Sequence, residues 1–142
     1  MHDKRNRRRR AILLGPLAFV LASATLLAGP SSVSQTAARQ YKAAESLMKD
    51  GRHQAALRLV QEAVADHPRS GAYVEGHFTE PYYPHFLLGW IHMELGDAER
   101  ALAEFDLELL SGAIREDPVR LRELKLRREL VLCRLDNTHT QP

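Results

Sequence analysis

Between Leu87 and Leu110, LLGWIHMELGDAERALAEFDLELL, two rows of inward-facing positions recur at helical spacing on either side of Leu95-Gly96-Asp97. Leu88, Ile91, His92 and Leu95 form the first row, and Ala101, Leu102, Phe105 and Leu109 the second. That is the period of a helix burying one side. Gly96 suits the left-handed cap that ends one helix, and Asp97 suits the N-cap of the next. The stretch therefore predicts two helices folded back on each other, and a fainter copy lies upstream.

In that copy Gln35 to Asp50 reads as a helix with Ala37, Tyr41, Ala44, Leu47 and Met48 on its apolar side, and Gly51 breaks it. His53 to Asp66 reads as a second helix, with Ala56, Leu59, Val60 and Ala63 inward and Pro68 behind its end. Glu45 and Lys49 stand in the favourable i, i+4 order. Arg69 to Tyr83, RSGAYVEGHFTEPYY, has no helical period; Gly71, Gly76 and Pro81 punctuate it, and Pro84 follows. It reads as a long loop, of the kind that is functional or packed by its own aromatic residues. Ser111-Gly112 ends the central pair, and Asp117-Pro118 starts a last helix to about Leu135. Leu121, Leu124, Leu132 and Leu135 give that helix an apolar stripe, with Val131 beside it. Residues 136–142 are expected to fray.

Before all this, MHDKRNRRRR precedes an uncharged run from Ala11 to Gly29. A basic head and an apolar run make a secretory signal or a signal-anchor, and the positive-inside bias keeps the arginines cytoplasmic. The run is long for a signal core and close to the ~20 residues of a spanning helix, which favours a retained anchor. Ala22-Ser23-Ala24 and Ser32-Val33-Ser34 have the small-x-small form of cleavage sites, so release stays open. Lipidation is disfavoured because Leu27-Ala28-Gly29 is followed by Pro30 rather than cysteine. The expected division is head and membrane or signal helix over 1–29, a polar linker over 30–36, and a helical domain over 37–135.

The net charge of +2 hides an uneven distribution. Without Lys4, Arg5, Arg7, Arg8, Arg9, Arg10 and Asp3, the body keeps 14 basic and 17 acidic residues, a net of −3. That is no footprint of a nucleic-acid binder. The single cysteine, Cys133, can form no internal disulfide or multi-thiolate metal site.

Aligned on Gly51 and Gly96, the two helical pairs match Ala44 with Gly89, Ala56 with Ala101 and Val60 with Phe105. Small residues there let two helices approach closely and larger ones fill the space between. The pattern resembles the tetratricopeptide repeat. Its second copy carries Leu88-Gly89, Gly96, Ala101 and Phe105, and its first carries Gly51, Ala56, Ala63 and Pro68. Ala43-Ala44 replaces Leu-Gly in the first copy, and Ala113 replaces the closing proline in the second. The copies are 45 residues apart against roughly 34 in the family, the loop supplying the excess. EPYYPHFLLGW also looks like the opening of repeats in bacterial envelope proteins of this type. The resemblance implies an all-α stack of two hairpins, with the helix from Pro118 to Leu135 as its cap.

In that family the first helix of each pair lines a concave ligand face. Carried over, the resemblance implies partner-binding residues Tyr41 and Met48, flanked by Glu45 and Lys49, then Tyr83, Phe86, Trp90 and Met93, flanked by Glu94. Tyr83, Phe86, Trp90 and Met93 fall at i, i+3, i+7 and i+10, the stripe a peptide-accepting groove uses. The competing reading is ordinary core, with the loop or the cap helix folded over the stripe. The lysine and asparagine set that clamps a peptide carboxylate in some members is absent, which disfavours chaperone-tail binding.

His85 and His92 are one heptad apart, about 10 Å along a helix, too far to share an ion; with nearby His77 they are read as packing or surface groups. The basic residues Arg120, Arg122, Lys125, Arg127, Arg128 and Arg134 are read as a solvated face with internal ion pairs such as Glu123 with Arg127. Cys133 is read as a small core residue. No phosphate loop, nucleophile elbow or carboxylate pair appears, and no metal or cofactor is called for. The expected protein is a non-enzymatic adaptor tethered through residues 11–29 to the bacterial cytoplasmic membrane. Its domain lies outside the cytoplasm and binds a protein or peptide rather than nucleic acid. A cleaved soluble binder is the alternative, and a histidine-dependent metal enzyme the reading from another class.

Overall fold

The computed structural model describes residues 32–139, so the basic head and the apolar run over 11–29 lie outside the described residues. The described residues form helices α1 (Gln35–Lys49) and α2 (His53–Asp66), strands β1 (Gly71–Glu75) and β2 (Phe78–Tyr82), and helices α3 (Pro84–Glu94), α4 (Ala98–Ser111) and α5 (Pro118–His139). A 3-10 turn, Ala113–Glu116, joins α4 to α5. α1 packs on α2, α3 on α4, α2 on α3 and α4 on α5. The described part is thus mostly helical, two antiparallel hairpins followed by a fifth helix. None of its helices is long and apolar enough to cross a membrane.

The two hairpins turn in the same way. The Gly51 N–H donates to Met48 O and the Arg52 N–H to Leu47 O; 45 positions later Gly96 donates to Met93 O and Asp97 to His92 O. This is the Schellman pattern. Its left-handed position is filled by Gly51 at φ 72° and Gly96 at φ 82°, where a side chain would be strained. The alignment on these two glycines is therefore an alignment of identical backbone turns.

Other helix ends are closed by side chains that accept orphan N–H groups. Ser34 accepts from Ala37, Asp97 from Arg100, and Asp117 from Val119 and Arg120. α3 starts with Pro84 at its first turn and has no cap from its own sequence. Its Phe86 N–H instead donates to the Glu108 carboxylate of α4, which is fully buried and also accepts from Ser111 Oγ.

The core lies in two adjoining clusters. The first joins Ala37, Tyr41, Ala44, Met48, Ala56, Val60 and Ala63 to Leu87, Leu88 and Ile91 of α3. The second joins Tyr83, Phe86, Met93, Ala101 and Phe105 to Ile114, Leu124 and Val131. Leu121 and Leu135 pack at the edge of the second cluster, so α5 covers the end of the second hairpin with Leu121, Leu124 and Leu135 of the predicted stripe, and Val131 rather than Leu132 completes it.

Two expectations are corrected. The stretch from Arg69 to Tyr83 is not a loop but a β-hairpin, with Glu75 paired to Phe78 across Gly76-His77. Gly76 has φ 61°, which fits a two-residue turn with glycine first. One sheet face puts Tyr73 and Tyr82 into the core, and Tyr82 Oη donates to Ala63 O and His67 O at the end of α2. Burial raises the Tyr82 hydroxyl well above its ordinary value. Val33 is already buried and Ser34 bonds Asp66, so packing begins just ahead of the helix expected from Gln35. At the other end, residues 136–139 continue α5 rather than fray.

Candidate partner-binding face

The stripe that the sequence offers as a groove is largely core. Tyr41, Met48, Tyr83, Phe86 and Met93 are between 2 and 7 % exposed. Tyr41 and Met48 belong to the first cluster, and Tyr83, Phe86 and Met93 to the second. Trp90 alone of the six is partly open, and it touches both clusters. Such burial follows from there being only two helical hairpins, since each needs its neighbours to cover its apolar side.

At Phe86, Trp90 and Met93 the stripe also meets a row of arginines from α5. The Arg127 guanidinium sits 3.9 Å from the Trp90 ring centre, and that of Arg120 sits 5.8 Å from Phe86, both within the range of cation–π attraction. Glu123 lies between them in sequence and bonds both, at 3.1 Å to Arg120 and 2.8 Å to Arg127. Arg134 donates to Met93 O at 3.1 Å. Arg120, Glu123, Arg127 and Arg134 recur at helical spacing, so one edge of α5, which packs mainly on α4, reaches α3.

The row reaches α1 as well. Glu45 approaches Arg120 at 3.8 Å, and burial raises its carboxyl despite the opposing pull of Arg120 and Lys49. Trp90 Nε1 donates to Glu94 at 3.1 Å. The face therefore presents an indole bordered by Arg127 and Glu94, and then the chain Glu123, Arg120, Glu45. The expected Glu123–Arg127 pair is present; the role of Arg120 and Arg127 as lids over aromatic rings was hidden from sequence reading, because it depends on where α5 docks.

The histidines are separated by their environments. His85 bonds Glu104 of α4 at 2.7 Å and Pro68 O at 3.2 Å, and the bond to Glu104 raises its imidazole above the ordinary value. His92 is buried with Asp97 at 4.0 Å, and His77 is exposed on the hairpin turn. Among the described residues no group of three histidine, cysteine or acidic side chains is placed to hold a metal ion. Cys133 is exposed rather than a core residue, because it falls on the side of α5 opposite Leu124 and Val131. No protein-family model, curated protein or solved structure matches the chain.

Proposed function

We propose that this protein is a non-enzymatic adaptor of the bacterial cell envelope. Residues 11–29 hold it in the cytoplasmic membrane, and the helical domain binds a protein or peptide outside the cytoplasm. The resemblance to the tetratricopeptide repeat gains support from one observation above all. Both hairpins close through the same hydrogen-bonded glycine turn and stack on a shared core. The binding mechanism is insertion of an apolar side chain against Trp90, the open member of an otherwise buried stripe, with Arg127 and Glu94 fixing the flanking charges. Tethering adds to affinity by raising local concentration near membrane partners.

The six cations followed by an uncharged run support the anchor. The Ala22-Ser23-Ala24 step supports the second reading, a soluble binder released by cleavage. Fractionation with intact-mass measurement separates the two. A membrane-bound chain keeping its full 16.1 kDa supports the anchor, and a mature chain beginning near Thr25 or Gln35 rules it out. For the binding role, crosslinking from membranes should capture a partner with the wild type and lose it with Trp90→Ala at unchanged helicity. A capture insensitive to Trp90 would place binding elsewhere.

A further inference from the structure

We propose that two copies of this chain pair through their α5 helices, side by side and antiparallel. On the side of α5 turned away from the core, Val119, Leu126 and Leu130 are 73, 63 and 48 % exposed, and Cys133 is exposed with them. Their spacing, i, i+7, i+11 and i+14, is that of a two-helix seam. A terminal helix that merely sealed the stack would carry a polar outer side. This one carries a second apolar stripe opposite the first.

The charges beside the seam say what covers it. Along one flank, exposed Arg122 and Lys125 lie in the first half and exposed Glu129 and Asp136 in the second. Turned end over end, the same flank meets itself with its positive half against its negative half, whereas parallel pairing would set it against the flank of Arg120, Arg127 and Arg134, which is already turned onto the core. The opposite flank does not compete: Arg120, Arg127 and Arg134 are folded back onto Phe86, Trp90 and Met93 O. The run from Ala11 to Gly29 carries no charge to set against this flank. With Leu126 of one copy opposite Leu130 of the other, Asp136 falls about 3 Å along the axis from Arg122, and Glu129 about 3 Å from Lys125, within reach of long side chains. The seam leaves the Trp90 face clear, so the pairing is independent of how that face is used.

Light scattering of the full chain in mild detergent tests this. The wild type should have twice the protein mass of one chain, and Leu126→Asp with Leu130→Asp should have the mass of one. Reversing the first half (Arg122→Glu with Lys125→Glu) should weaken pairing by about tenfold or more. Adding Glu129→Lys and Asp136→Lys should restore it, with helicity by circular dichroism unchanged throughout. A monomeric wild type would overturn the proposal, as would a dimer indifferent to these changes or a charge swap that fails to rescue. Mild oxidation adds the direction of pairing. Antiparallel copies hold their Cys133 residues about 15 Å apart along the axis, so a disulfide between them would also overturn it.

Discussion

A Cβ placed on Gly89 of α3 would stand 2.5 Å from the Phe105 ring of α4 and 3.1 Å from Ala101 O. At the matching positions of the first hairpin, Ala44 and Val60 are both fully buried. One hairpin thus combines the smallest residue with a large ring, and the other spends one methyl more on α1 and several carbons fewer on α2. The total filling the helix crossing is similar, which is how cores keep their volume while changing its distribution.

Gly89→Ala should therefore destabilise the domain by about 1–3 kcal/mol, despite the roughly 1 kcal/mol that alanine gains over glycine in a helix interior. Phe105 is fully buried and has no room to swing aside. Phe105→Val alone should cost about 2 kcal/mol or more by opening a cavity. The double variant, which copies Ala44 and Val60 into the second hairpin, should lose less than the sum of the singles. Urea unfolding of all four proteins checks this, and strict additivity would show that the two sites do not share the space.

Glu108 supplies α3 with the cap its own sequence lacks. Glu108→Ala leaves the Phe86 N–H buried without its acceptor and opens a void, a loss of about 3–5 kcal/mol. Glu108→Gln keeps an acceptor and forfeits only the attraction of a negative charge for the helix N-terminus, about 1 kcal/mol. Thermal unfolding should rank them so; equal losses would mean that the N–H finds another acceptor when the carboxylate is gone.

The helices were legible because their evidence is local. Row spacing and turn glycines marked His53–Asp66 to the residue and the other helix starts to within a few positions. The β-hairpin is not legible in the sequence, although Gly76-His77 can form a two-residue turn, because its strands are short, AYV and FTE do not alternate, and Pro81 interrupts the second. The site was legible in composition but not in exposure. Spacing puts Tyr83, Phe86, Trp90 and Met93 on one side of α3, yet only the docking of α5 decides which remain open. The exposed Leu126 and Leu130 are hard to read from sequence for a related reason: α5 is apolar on two opposite sides, and the period of one stripe conceals the other.

His85 should make stability depend on pH in a defined direction. Its bond to Glu104 raises the folded-state pKa, so the stabilisation is fully present below the unfolded value of about 6.5. It fades as pH rises through the higher folded value. Against His85→Gln, which keeps a polar side chain but does not titrate, the wild type should lead most near pH 5.5 and least near pH 9. Denaturant midpoints at several pH values measure the gap, and a gap that widens above neutrality would contradict the assignment.

Trp90 is the chain's one tryptophan, so its fluorescence reports on the proposed binding face without labelling. Arg127 covers the ring at 3.9 Å and is itself held by Glu123. Removing the guanidinium in Arg127→Met keeps much of the aliphatic stem but admits water to the indole face, so the emission maximum should move to longer wavelength. The stability lost with the cation–π contact should be modest, about 0.5–2 kcal/mol. Glu123→Gln should shift the emission in the same direction by less, because it loosens Arg127 without deleting it. Neither change touches the turns at Gly51 and Gly96, so helicity should hold. If Arg127→Met leaves the emission unmoved, the arginine does not shield Trp90 in solution, and the indole is open to a partner without any lid to displace.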